Sequence, residues 1–374
     1  AYEIRNCDWS SDVCSSDLRR ALLIELLPQV EACRGIRPEE VQALRCEYDI
    51  LRMIGDIDAD DGRWATAIEF RSRAQALQQQ LVGLLPDDSV ARAELATAWV
   101  RVGDAEFRLR GPLTARAAYT KAHEVYLDLE HSNPDSGRHV DDLAWSCGRM
   151  ANMAMLLGQL DAAEEFIRQR AACNVRLRSL RPAHPATFSG ERSLHLLGAQ
   201  LAQRRGRIDE ERREVLLAIE PARSHHRLEP NAPLVTADLC SVLITYVYLA
   251  GSALPISAAY QMLGEADLLL EDLLSLEPKH ELARLMHTWS ACVRGLHLSY
   301  QESEPLMANV VRARARLSYS ESLLRADLGA IYEDSLRSAR AEILTLEAAL
   351  QQPPELPDLQ ARLATLEQAT LAQR

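Results

Sequence analysis

The segment LLPDDSVARAELA (84–96) decides the fold, because its parts return at a fixed interval. SNPDSGRHVDDLA (132–144) stands 48 residues later, and LEPKHELARLM (276–286) three such steps beyond that. Prolines mark every step: Pro38, Pro86, Pro134, Pro182, Pro230 and Pro278. With only 16 prolines in 374 residues, six in one register identify an internal repeat.

Other columns keep the same step. Small residues fall at Gly55, Gly103, Ala151, Ala199 and Gly295, with Val247 in the same register. Twelve residues after each come Ala67, Ala115, Ala163, Glu211 and Ala259, and seven further on Ala74, Ala122, Arg170, Ala218 and Ala266. A spacing of seven keeps two small residues on one helix face, where a second helix can approach closely. Between the first two columns lie Gly62, Gly111, Gly158, Gly206 and Gly251, in the place and of the type that ends a helix in a left-handed turn. Each unit therefore predicts a helix, a tight turn, a longer second helix and a proline-marked loop.

Composition agrees. Leu, Ala, Glu and Arg dominate, aromatics are 5%, and 47% hydrophobic residues are ample for a packed core. The net charge is −12, a poor match for nucleic acid or an anionic membrane. Only Lys121 and Lys279 are lysines, against forty arginines, which with the alanine content points to GC-rich coding and a bacterial source. The run RRGRIDEERR (204–213) interleaves acids and reads as a solvated helix face. Six cysteines (Cys33, Cys46, Cys147, Cys173, Cys240, Cys292) are widely spaced and read as buried small hydrophobes of a reducing cytosol.

The pattern resembles the tetratricopeptide repeat (TPR), whose 34-residue unit places a small residue, two alanines and a proline in this order. Here the small-to-alanine spacings match, and the proline arrives seven residues late. The resemblance implies an all-α, right-handed α-solenoid of helix-turn-helix repeats with a C-terminal helical cap. Five 48-residue units occupy 38–278, and 19–37 is the remnant second helix of a further one, with Pro28 as a potential kink. A degenerate sixth repeat and capping helix fill 279–350, and a Pro-rich break with a terminal helix fills 351–374. Units four and five depart at Arg170, Glu211 and Val247.

Residues 1–18 lack any periodicity. DWSSDVCSSDL (8–18) resembles a translated sequencing-library adapter, so 1–18 is expected to be non-native and the native sequence before Arg19 to be missing.

The uncharged run 239–264 is a membrane-span candidate on hydropathy alone. Gly251, Ser252 and Pro255 fall at the expected interhelical turn, so it reads as two buried helices and no membrane partner is expected. Phosphate-loop, dinucleotide-binding, zinc-protease and hydrolase-elbow motifs are absent, and the chain is expected to be non-catalytic, with no cofactor. DIDADD (56–61) lacks the downstream glutamate of a calcium loop and reads as an acidic turn, not a metal site. The pairs His225–His226 and His280–His287 read as surface histidines.

In the resembled family, first helices line a concave groove that binds extended peptides or partner helices. The matching positions are Arg52, Asp56, Asp104, Asn152, Gln200 and Tyr248, with Arg101, Arg108 and Arg149 adding positive charge. Arginine forks suit carboxylates, so an acidic peptide or a C-terminal carboxylate is the expected ligand. Val100 and Leu196 stand where a charged clamp residue would be expected. The resemblance thus implies a cytoplasmic protein–protein interaction scaffold. The alternative is the C-terminal regulatory or recognition arm of a truncated bacterial Ser/Thr kinase or other signalling protein, since arrays with units of this length resemble those appended to such kinases.

Overall fold

The computed structural model describes residues 16–36 and 39–276, scattered positions between 283 and 344, and 356–373. These residues are all-α. Helix α1 is Ser16–Ile36, and five helix pairs follow. They are α2 (Val41–Asp60) with α3 (Trp64–Leu84), α4 (Ser89–Arg110) with α5 (Pro112–Ser132), and α6 (Gly137–Leu156) with α7 (Leu160–Leu180). Next come α8 (Pro185–Arg204) with α9 (Ile208–Leu228), and α10 (Pro233–Ala250) with α11 (Ile256–Leu276). Helix α12 is Leu356–Gln373, where the terminal helix was expected. Of the expected sixth repeat, Ala283 and Val293 are buried in the second unit's core, whereas Gly295 lies outside the described residues, as do Pro38, Pro278 and residues 1–15.

The chain divides into two compact units, Ala1–Gly190 and Glu191–Arg374. In the first, each helix from α1 to α6 packs on its successor; in the second, α9 packs on α10 and α10 on α11. Leu44, Leu51, Ile54 and Leu81, then Leu129, Val140 and Leu177, form successive core layers of the first unit. Leu239, Leu243, Ile244, Leu263 and Leu270 form the core of the second.

The proline ruler has a specific backbone cause. Asp88, Ser136, His184 and Ala232 each donate a backbone N–H to the carbonyl three residues earlier, at Leu85, Asn133, Arg181 and Glu229. Each proline is thus the second residue of a hydrogen-bonded turn, where its fixed φ is already correct. The next helix starts at once: Asp88 Oδ1 caps α4 by accepting from the N–H groups of Val90 and Ala91, and Ser136 caps α6.

Inside each pair the glycine column stops the first helix. Gly62, Gly111, Gly158, Gly206 and Gly251 all have positive φ, between 51° and 91°. In three pairs the following N–H (Arg63, Gln159, Arg207) reaches back five residues, to the carbonyls of Asp58, Ala154 and Ala202, and closes a Schellman-type end. The two helices are nearly equal in length. First helices run 18–22 residues and every second helix is 21, so the second is the longer in four of the five pairs, by one to three residues. The additional residues are shared between both helices of the pair.

The small columns are the contact surface. Ala67, Ala115, Ala163 and Ala259 are fully buried, as are Ala218 and Ala266. At Gly55 a Cβ would stand 2.8 Å from Arg71 Cγ, and at Gly103 it would stand 2.9 Å from Tyr119 Cε1. In both repeats the side chain sixteen residues on therefore lies directly across the glycine. Glu211 and Arg170, the exceptions in the alanine columns, are buried too. Burial raises the Glu211 carboxyl above its ordinary value, against the attraction of Arg212.

At the start of the array, Asp58 is fully enclosed and takes two bonds from Arg20 of α1 (2.5 and 3.1 Å) and one from Arg63 (2.7 Å). Burial opposes its charge, but these donors and Thr66 outweigh burial and hold it below the usual carboxylate range. The acidic run 56–61, expected as a turn, is instead the end of α2 through Asp60, and its Asp58 is an ion-paired anchor for α1, which continues through Pro28. Its first turn begins at Ser16, inside the segment expected to be non-native.

The uncharged run 239–264 is split as expected, into α10, a short 3-10 turn (Gly251–Ala253) and α11. Helix α10 is long and apolar enough to cross a membrane by length and composition, and its Leu239, Leu243, Ile244 and Val247 sit in the second unit's core. Cys147, Cys173 and Cys240 are buried, but Cys33 is exposed and Cys46 half-buried, so the uniform burial expected of the cysteines fails in α1 and α2; Cys292 lies outside the described residues. His225 is also buried, contrary to expectation, because its ring packs inward while Nε2 reaches Glu229 at 3.1 Å.

Two stability outcomes follow. Gly103→Ala should cost about 1–3 kcal/mol by overpacking against Tyr119. Gly111→Ala should cost about 1–3 kcal/mol through backbone strain, since nothing lies within 4 Å of its Cβ position. In a Tyr119→Leu background, urea melts should show the Gly103→Ala penalty shrinking and the Gly111→Ala penalty unchanged; equal penalties in both backgrounds would contradict the crossing geometry. Glu211→Ala should raise stability at pH 7 by about 1 kcal/mol. The folded carboxyl is raised, so the wild type is least handicapped below the ordinary glutamate range and loses stability as pH rises through the raised value. The gain from Glu211→Ala should therefore grow with pH, and a pH-independent difference in melting temperature would refute it.

Candidate partner-binding face

In the first unit the first helices α2, α4 and α6 are joined side by side through a charged ladder. Asp56 on α2 is 3.5 Å from Arg101 Nε on α4, and Asp104 on α4 is 3.2 Å from Arg149 on α6. The two rungs are one repeat step apart at both ends. Each aspartate also has a second holder, from the second helix of its own repeat. Arg71 Nη2 donates to Asp56 Oδ1 at 3.0 Å, and the Tyr119 hydroxyl donates to Asp104 Oδ1 at 2.6 Å. Arg71 and Tyr119 are the residues lying across the glycines, so the helix crossing aims them at the aspartate that follows each glycine.

Burial, then the bond to Asp104, push the Tyr119 phenol well above its ordinary range, so it remains a donor throughout the physiological range. Arg71 also donates to the carbonyl of Arg101 at 3.0 Å, fixing the rung from below. Arg52 closes the α2 end, 3.3 Å from Asp56 and 3.9 Å from Asp49. The side chains of Arg52, Asp56 and Arg101 are about 30% exposed, and those of Asp104 and Arg149 are 34% and 41% exposed. The network is open to solvent from one side.

Aromatic rings flank it. Arg149 lies over the exposed ring of Trp145 (4.9 Å), and Arg108 lies over Trp64 (5.8 Å). Such stacking holds a guanidinium flat while leaving its edge free to bond.

Seven of the nine residues singled out from sequence belong to this unit. Arg52, Asp56, Arg101, Asp104 and Arg149 are brought together, Arg108 stands beside Tyr119, and Asn152 is exposed on α6. Gln200 and Tyr248 are exposed on α8 and α10 of the second unit. The charge pattern of the ladder is not repeated at the next step in sequence, where Asn152 stands in the acid position and Leu197 in the base position. Val100 and Leu196 face the cores of their respective units, which is why no clamp charge stands there. Sequence reasoning missed Arg71 and Tyr119; their signal was the spacing of sixteen from the small column. Among the described residues, no group of three His, Cys, Asp or Glu side chains is placed to hold a metal ion.

No protein-family model matches the chain, and no curated protein does. Among solved structures it is similar to yeast Tom70, at 11% identity over 98% of this chain and 91% of that one, with a TM-score of 0.23. It is also similar to the human IFIT1 dimer with m7Gppp-AAAA, at 13% identity over 93% and 92%, with a TM-score of 0.26. The P58(IPK) TPR domain is matched at 12% identity over 90% and 100%, with a TM-score of 0.21. At these scores the likenesses add nothing to the geometry, and the helical-repeat fold rests on the helix pairs themselves.

Proposed function

We propose that this chain is a non-catalytic interaction scaffold that holds an acidic peptide or partner segment along the ladder face of α2, α4 and α6. The double holding of Asp56 and Asp104 carries this reading. An incoming carboxylate can draw Arg101 or Arg149 away, and the aspartate left behind keeps Arg71 or Tyr119. No buried charge is orphaned by the exchange, so it avoids the main penalty of breaking an ion pair. An incoming cation has no such route, because it must compete for an aspartate that two donors already hold. Half-exposed pairs are individually weak, which keeps the exchange inexpensive. Trp145 and Trp64 supply the flat apolar surface on which a peptide backbone can rest.

The test is a fluorescence-polarisation titration of the full chain with acidic, neutral and basic peptides of equal length. The acidic series should bind best and weaken with salt. Arg101→Gln with Arg149→Gln should weaken it by about tenfold or more, as expected for losing charge-assisted bonds. Helicity by circular dichroism should be unchanged, since Arg71 and Tyr119 still hold the aspartates. Equal affinity for basic peptides, or acidic binding indifferent to the double substitution, would remove the ladder from the proposal.

A further inference from the structure

The second unit contains a cleft of about 640 Å3 between α9 and α11, floored by the buried Leu239 of α10. That is within the size range of small-molecule sites. Its α11 wall is Tyr260, Gly264 and Leu268, spaced four apart and so on one helix face. Its α9 wall carries Arg223 and Arg227, also four apart.

The apolar wall is a departure from the repeat. Stepping back by 48, Gly264 corresponds to Leu216, Arg168, Thr120 and Ser72, and only this repeat has no side chain there. Leu268 corresponds to Glu220, Ala172, Glu124 and Ala76, and Tyr260 to Arg212, Glu164, Arg116 and Ile68. Gly264 has no packing reason to be glycine: a Cβ there would meet nothing within 4 Å. Unlike Gly55 or Gly103, it makes room for no neighbouring helix. A mid-helix glycine costs about 1 kcal/mol relative to alanine, and what this one yields is open space. Leu268 meanwhile remains 66% exposed at the edge of that space.

The basic wall is graded. Arg223 is committed, donating to both oxygens of Glu265 at 2.9 and 2.6 Å, a fork that ties α9 to α11 and keeps the cleft open before any ligand arrives. Arg227 bonds to Glu220 at 2.7 Å, but both side chains are more than 60% exposed, so that pair is readily exchanged. His226, between them, is depressed below its ordinary value by burial and stays neutral near pH 7, with its Nδ1 3.4 Å from Thr236 Oγ1. The most readily released charge of the cleft is therefore positive, the exposed Arg227 held by Glu220 and by Ser224 Oγ at 2.8 Å, and it faces an apolar stripe.

We infer that this cleft binds a small organic monoanion with an apolar body, a carboxylate or sulfonate on an aryl or alkyl frame. The body lies over Gly264 between Tyr260 and Leu268, and the anionic head takes Arg227 from Glu220. This assignment is independent of the ladder face, which belongs to the other unit.

The probe pair is 4-phenylbutyrate and 4-phenylbutylamine, equal in body and opposite in charge, titrated into the full chain by calorimetry with backbone and methyl NMR shifts of Gly264 and Leu268. The acid should bind saturably and shift both residues, and the amine should bind at least about fivefold more weakly, as expected from one charge-assisted contact. Gly264→Leu should abolish acid binding by filling the cleft. It should melt no lower than wild type, since leucine is the better helix former, so loss of binding cannot be blamed on unfolding. Arg227→Gln should weaken the acid about fivefold and leave the amine unchanged. No saturable binding, equal binding of acid and amine, shifts located elsewhere, or full binding by Gly264→Leu would each overturn the assignment.

Discussion

The charged ladder of the first unit depends on one steric constraint, the crossing of two helices where one of them has no side chain. At Gly55 and Gly103 the partner helix comes so near that a single methyl would overlap Arg71 or Tyr119. The crossing point then fixes where those long side chains go. Each lies across the glycine and ends at the next residue of the first helix, which is Asp56 or Asp104. Packing thus sets the electrostatics. An aspartate already oriented by its own repeat presents its remaining lone pairs to the neighbouring repeat, where Arg101 or Arg149 meets it. Contacts within a repeat and contacts between repeats share one carboxylate, so a slip of one helix pair against the next would break both.

The same chemistry serves a different end where burial is complete. Asp58 has no exposure, and its charge persists because three guanidinium bonds outweigh the loss of water. Removing either guanidinium there would leave a fully enclosed charge only partly compensated and out of reach of water, so the contact is suited to anchoring α1 and not to exchange. The ladder aspartates are half-exposed and doubly held, which makes exchange inexpensive. Two aspartates on one helix, Asp56 and Asp58, thus point to opposite sides and differ in role through solvent access alone.

The columns that every repeat needs were legible in the sequence. Pro86 and its successors encode a turn, Gly62 and its successors a helix end, and Ala67 and Ala115 a contact; each is a local requirement satisfied by a residue type. The partners were not legible. Arg101 meets an aspartate 45 residues earlier, and nothing in a helical period specifies that number; it emerges from the tilt of one pair on the next. Arg71 and Tyr119 are chemically unlike, so no residue-type column links them, although they do the same work. His225 was also beyond reach, since its burial comes from neighbouring helices, whereas Glu211 falls in the run 204–213 that reads as a solvated face although its register in the alanine column puts it at the helix contact.

In a repeat array the shared columns maintain the stack, so they cannot also distinguish one surface from another. Specificity has to reside where the repeats differ. The ladder runs for two rungs and stops where Asn152 and Leu197 replace acid and base, which gives its face a defined length. The cleft lies where Gly264 replaces the side chains of Leu216, Arg168, Thr120 and Ser72, flanked by Tyr260 and Leu268. A glycine that accommodates a neighbour, as Gly103 does, belongs to the fold. A glycine that accommodates nothing, as Gly264 does, costs helix stability without a structural return, and a site is the physical account that gives the expense a purpose.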